Sequence, residues 1–120
     1  MTLQEIILNS TDGLGSFPVL EIGCRELGLP LHEFCEQFAV EVARSFHSGT
    51  LNWEDGDGAM NSLYYSFVYE HDQSAFPEIA YSVFSAFDDG EYPNPGDSAG
   101  FDPRLHTREI IAGLIAKIGP

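Results

Sequence analysis

Carboxylates that stand close in sequence are the first chemical possibility in this chain: Asp88 beside Asp89, and Asp55 two positions before Asp57. Two acids held together raise one another's pKa, so that one stays protonated as an acid while the other serves as a base, as in glycosidases and aspartic proteases. Adjacent acids in loops are more often simply solvated. The run Asp55-Gly56-Asp57-Gly58 also opens like a calcium loop, whose alternate oxygens must converge on one cation. Ala59 stands where a third ligand belongs, however, and no Glu occupies the twelfth position. The loop from Asp88 to Asp102 can gather hard oxygens only irregularly. Ordinary surface acid is the better reading, and neither a metal nor a cofactor is assigned.

His32 and Cys35 are spaced to put two zinc ligands on one helical face. Cys24, His47, His71 and His106 form no second close pair to complete a site, so a core cysteine and a surface histidine are expected instead. Met1-Thr2-Leu3-Gln4-Glu5 lacks the basic start of an export signal, and free thiols in a cytosolic protein are therefore expected. Nucleophilic catalysis finds no support: there is no G-x-S-x-G elbow and no phosphate-cradling motif. A histidine flanked by acids, as in Glu70-His71-Asp72, reads as a surface ion pair. No catalytic residue is assigned, and the chain is expected not to be an enzyme.

The elements that must position these groups are helical. Phe34, Phe38, Val42 and Phe46 recur every four residues and predict an amphipathic helix over residues 31–47, stopped at Ser48-Gly49. A second helix is expected after Asn52, a capping residue, with Asp55 near its positive end; Gly56 and Gly58 blur its start. A third opens at Pro77-Glu78, buries Ile79, Ala80, Val83, Phe84 and Phe87, and ends at Gly90. Residues 91–100, rich in Pro, Gly, Asp and Asn, predict an ordered acidic loop. Asp102-Pro103 suggests a short turn, and Thr107 the cap of a final helix with Ile110, Ile111, Leu114, Ile115 and Ile118 on one side. Residues 17–27 suggest a helix ending at Gly28; residues 3–8 allow a short helix or a strand, with a turn at residues 12–15. With no repeat, linker or strand-helix alternation, the expected fold is all-α: residues 1–120 as a single-domain bundle of five or six helices with an acidic Pro/Gly-rich loop.

Charge gives the strongest functional signal. Residues 45–103 contain no lysine or arginine but eleven carboxylates, within a chain of net charge −14. Such a surface repels itself, attracts a basic partner and speeds its association. It also makes nucleic acid and anionic membranes poor direct partners, and no run of about 18 apolar residues suggests a span. Trp53, Tyr64, Tyr65, Tyr69, Tyr81 and Tyr92 lie in the same segment and suit a face that grips Lys and Arg through cation-to-ring attraction. Helical tyrosines equally serve a core with their hydroxyls at its rim. Tyr92, in the loop, is the anchor least explained by packing.

The series Met60-Asn61-Ser62-Leu63, Phe76-Pro77-Glu78-Ile79-Ala80, Ala86-Phe87-Asp88-Asp89-Gly90-Glu91-Tyr92 with Pro95-Gly96-Asp97, then Asp102-Pro103 and Thr107 to Ile111, resembles small acidic immunity proteins of bacterial polymorphic and contact-dependent growth inhibition toxin systems. The resemblance covers roughly the second half of the chain. It implies a cytoplasmic protein that binds a cognate toxin domain, a basic nuclease above all, and neutralises it by binding alone. The expected partner-binding residues are Trp53, Glu54, Asp55 and Asp57, Asp88, Asp89, Glu91, Tyr92 and Asp97, with Glu70 and Asp72 at the edge of the same surface. The rival reading is a DNA mimic that blocks a host or phage-defence nucleic-acid-binding protein with the same negative face. Oligomeric state is left open.

Overall fold

Local capping chemistry sets the helix boundaries in the computed structural model, which describes residues 1–119. Thr2 and Glu5 cap each other's backbone at the start of α1 (Leu3–Asn9), which decides the N-terminal segment in favour of helix. The next helix, α2 (Val19–Leu27), closes on Gly28, whose φ of 65° is left-handed and costs glycine nothing. Helix α3 (Leu31–Ser48) follows Pro30 and ends in the same way on Gly49. In α4 (Trp53–Glu70) the Asn52 side chain accepts from the Asp55 amide at 2.8 Å, as its capping type predicts. A single 3₁₀ turn (Gln73–Ala75) leads to Pro77 and α5 (Glu78–Asp89), and α6 (Arg104–Ile118) follows the acidic loop. The fold is all-helical, and no strand occurs among the described residues.

Helix α5 packs against α3, α4 and α6, while α1 and α2 close the other side of α3 and α4. The predicted face of α3 is the centre of the core: Phe34, Phe38 and Val42 are wholly buried, and Phe46 meets the Phe87 ring edge-on at 5.2 Å. They join Ile6, Met60, Leu63, Val83, Phe87 and Ile111 in one cluster. Both cysteines are free thiols; burial pushes Cys35 up to about 12, far from a reactive thiolate.

Several sequence expectations change here. Gly56 and Gly58 do not loosen the start of α4. They lie inside it because neighbours pass where a side chain would stand: a Cβ on Gly56 would lie 2.6 Å from the Phe87 ring, and one on Gly58 would lie 1.8 Å from the Thr11 carbonyl oxygen. Thr107 does not cap the last helix. That helix begins at Arg104, and Thr107 is wholly buried within it. Ile79 is only half-buried and Ile110 is exposed, so α6 contributes mainly Ile111 to the core, with Leu114 and Ile115 packed beside it.

Candidate functional site

Three helix ends meet at Thr107. The last carbonyls of a helix have no partner within it, and the Gly90 amide that would serve Ala86 bonds to Phe87 instead. The Thr107 hydroxyl donates to the Ala86 carbonyl at 2.6 Å and accepts from the Trp53 indole N–H at 3.0 Å. One buried hydroxyl thus ties α6 to the end of α5 and the start of α4. Gly90 is required for space: its φ of −90° is ordinary, but a Cβ there would lie 2.2 Å from the Thr107 oxygen. Arg104, in the first turn of α6, lies 4.4 Å over the Trp53 ring and pairs with Glu54.

This junction sends the chain out of α5 alongside α4, and it brings Asp57, Asp88 and Glu91 together. The Asn61 amide lies 3.5 Å from both Asp57 Oδ2 and Glu91 Oε2, while Asp57 Oδ1 is buried without a partner. Burial, then hydrogen bonding to Glu91, then the charges of Glu91 and Asp88 push the Asp57 carboxyl up to about 8; Arg104 opposes them weakly. Burial and the neighbouring Glu91 and Asp89 raise Asp88 as well. Near neutral pH the Asp57 carboxyl therefore favours its protonated form. A protonated carboxyl of this kind is a chemical acid, but grooves of about 610, 490, 340 and 310 Å³ are all lined by other residues.

The acidic loop beyond is braced from within. Asp97 accepts from the Asn94 amide at 2.7 Å and meets His106 Nε2 at 3.1 Å; the Asn94 side chain donates to Asp89 at 3.1 Å. The Asn94 bond, supported by His106, holds the Asp97 carboxyl below its ordinary range. Tyr92 stands clear of these contacts, 75% exposed.

The expected binding residues therefore divide. Trp53, Glu54, Asp57, Asp88, Asp89, Glu91, Tyr92 and Asp97 converge on the junction and its loop, with Asp55 in the same first turn of α4. Glu70 ends α4, about 20 Å along the axis from Asp57 at roughly 1.5 Å per residue, and Asp72 follows it as the cap of the 3₁₀ turn, so the two do not edge the same surface. Trp53 and Asp97 are committed to bonds inside the fold, where they position their neighbours. Residues 52–57 are the expected cap and the first helical residues of α4. The negative face is also partly compensated, because Arg104 returns from α6 to meet Glu54. Asn61, Asn94, Arg104, His106 and Thr107 all shape the site and went unassigned. Their partners lie up to 54 residues away, and the one local hint is that Asn61 and Thr107 stand in the quoted series.

No protein-family model, curated protein or solved structure matches this chain.

Proposed function

We propose that this chain is an inhibitory binding protein of the immunity type, which neutralises a basic partner domain, most simply a nuclease toxin, by occupying its cation-lined surface. The observation that carries the reading is the junction itself. Asp55, Asp88, Asp89 and Glu91 and the exposed Tyr92 share one end of the bundle, and none of these acids has a Lys, Arg or His within ion-pair distance among the described residues. A surface of this kind substitutes carboxylates for the phosphates that a nuclease holds with Lys and Arg, and offers Tyr92 as an anchor. The internal bracing of the loop through Asp97, Asn94 and His106 reduces what must be ordered on binding. Inhibition needs only occupation, and no chemical step is assigned to the chain.

The reading is tested by pull-down of the tagged protein from its own organism's lysate at low and then high salt, followed by kinetics on the released partner. A basic partner released by salt is expected. Asp55→Asn with Asp88→Asn, at positions whose carboxylates make no internal hydrogen bond, should slow association more than they speed dissociation. Salt-independent capture refutes the reading, and a partner displaced equally well by generic duplex DNA favours the DNA-mimic alternative.

A further inference from the structure

At the other end of α4 a second surface is built for contact. The turn after α1 lies along this helix: Asp12 accepts from the Leu14 amide at 3.0 Å and from the Ser16 hydroxyl, Gly13 faces Gly58, and Gly15 faces Ser66. Between this turn, the start of α2 and the last turns of α4 runs a groove of about 610 Å³. We propose that this groove docks a Lys- or Arg-bearing segment of a protein partner, with the cation between Glu21 and Glu70 against Tyr65 and Tyr69 and an apolar neighbour on Leu14.

Tyr65 and Tyr69 stand one turn apart on the same side of α4 and are 55% and 89% exposed. Tyr65 is fixed as a platform, edge-on to Tyr64 at 5.3 Å and to Phe84 at 5.9 Å. Leu14 is 84% exposed at the tip of a turn that its own hydrogen bonds hold in place. Large side chains held rigidly in water cost solvation without serving the core, which is the pattern of a contact surface. Charge selects the occupant. Glu21 and Glu70 line the groove, no Lys or Arg does, and among the described residues the one basic group within ion-pair distance of either acid is His71, 4.0 Å from Glu70. A second copy of the chain would bring another net −14 to the surface. A cation over a tyrosine ring, held by a carboxylate on each side, satisfies both features.

The inference rests on the proposed function only for the basic character of the partner; the groove and the acidic junction are separate surfaces. The test is an amide-resolved NMR titration of the full chain with the peptide acetyl-Leu-Arg-Leu-amide and with its citrulline analogue, which keeps the shape of arginine and removes its charge. Saturable shifts are expected at Leu14, Ser66, Tyr69 and Glu70. Affinity should be about three-fold weaker in Tyr69→Ala, a loss of the size an exposed cation-to-ring contact supplies, and about ten-fold weaker for citrulline, which also gives up the pairing with Glu21 and Glu70. Asp55→Asn with Asp88→Asn should leave the shifts in place. Shifts confined to residues 88–92, equal affinities for arginine and citrulline, or no saturation by about 20 mM peptide would each overturn the groove. None of those results touches a salt-released partner at the junction, and a failed pull-down leaves this titration unaffected.

Discussion

Replacing Thr107 by valine removes one oxygen and tests how the site is held. Valine has nearly the same shape, so no cavity is opened, but the Ala86 carbonyl and the Trp53 indole N–H both lose their partner. A buried polar group left unpaired costs about 1–3 kcal/mol. The Ala86 carbonyl belongs at the upper end, because its bond is short and its residue wholly buried, whereas the half-buried indole can recruit water. The expected loss is about 2–4 kcal/mol, or a Tm lower by about 8–16 °C at roughly 4 °C per kcal/mol for a chain of this size. Urea unfolding followed by fluorescence reads it directly, since Trp53 is the chain's single tryptophan and one of the two groups orphaned. Thr107→Ser keeps the hydroxyl, deletes a methyl, and should cost only about 1 kcal/mol. A valine variant within about 0.5 kcal/mol of wild type, or a serine variant as damaged as valine, would refute the assignment of the junction to this hydroxyl.

Two further outcomes follow from the same geometry. Because the Asp57 carboxyl is raised from 3.8 to about 8 in the fold, its contribution to stability is complete below about pH 4 and lost as pH climbs towards 8. Acids held low in the fold, such as Asp97 and Asp72, act oppositely and lose their contribution on acidification, so stability should peak near pH 4. Asp57→Asn should flatten the decline between pH 4 and 8 and stabilise the protein at pH 8 by on the order of 1–2 kcal/mol, allowing for solvent screening of a half-buried group; parallel pH profiles for mutant and wild type would rule out the raised Asp57 carboxyl. Gly58→Ala should destabilise by about 3 kcal/mol in urea unfolding, because the new Cβ meets the Thr11 backbone oxygen and no flexible side chain can yield. A neutral result there would mean that the turn after α1 does not rest on α4.

Most of the helices and the sign of the surface are legible in the residue order alone, although α1 and the start of α6 are not. Capping and stop signals act within a few residues, so Asn52 reaching Asp55, Gly28 and Gly49 closing helices in the left-handed region, and Pro77 opening α5 are all legible from neighbours alone. The four-residue spacing of Phe34, Phe38 and Val42 likewise declared the buried face of α3. Which acids meet depends on how the helices pack. A count of carboxylates has no direction, and it grouped Glu70 with Asp88 although α4 carries Glu70 away from the junction. The meeting of Asp57 with Glu91 across the Asn61 amide, and the hydroxyl of Thr107 between Ala86 and Trp53, depend on how far each helix is rotated about its axis when it packs. The glycines make the same point. Gly56, Gly58 and Gly90 carry a local signal of weakness or termination, yet each stands where a neighbouring ring, carbonyl or hydroxyl passes too close for any side chain. Propensity is a property of the backbone's own neighbours, and close approach is a property of surfaces far apart in the chain.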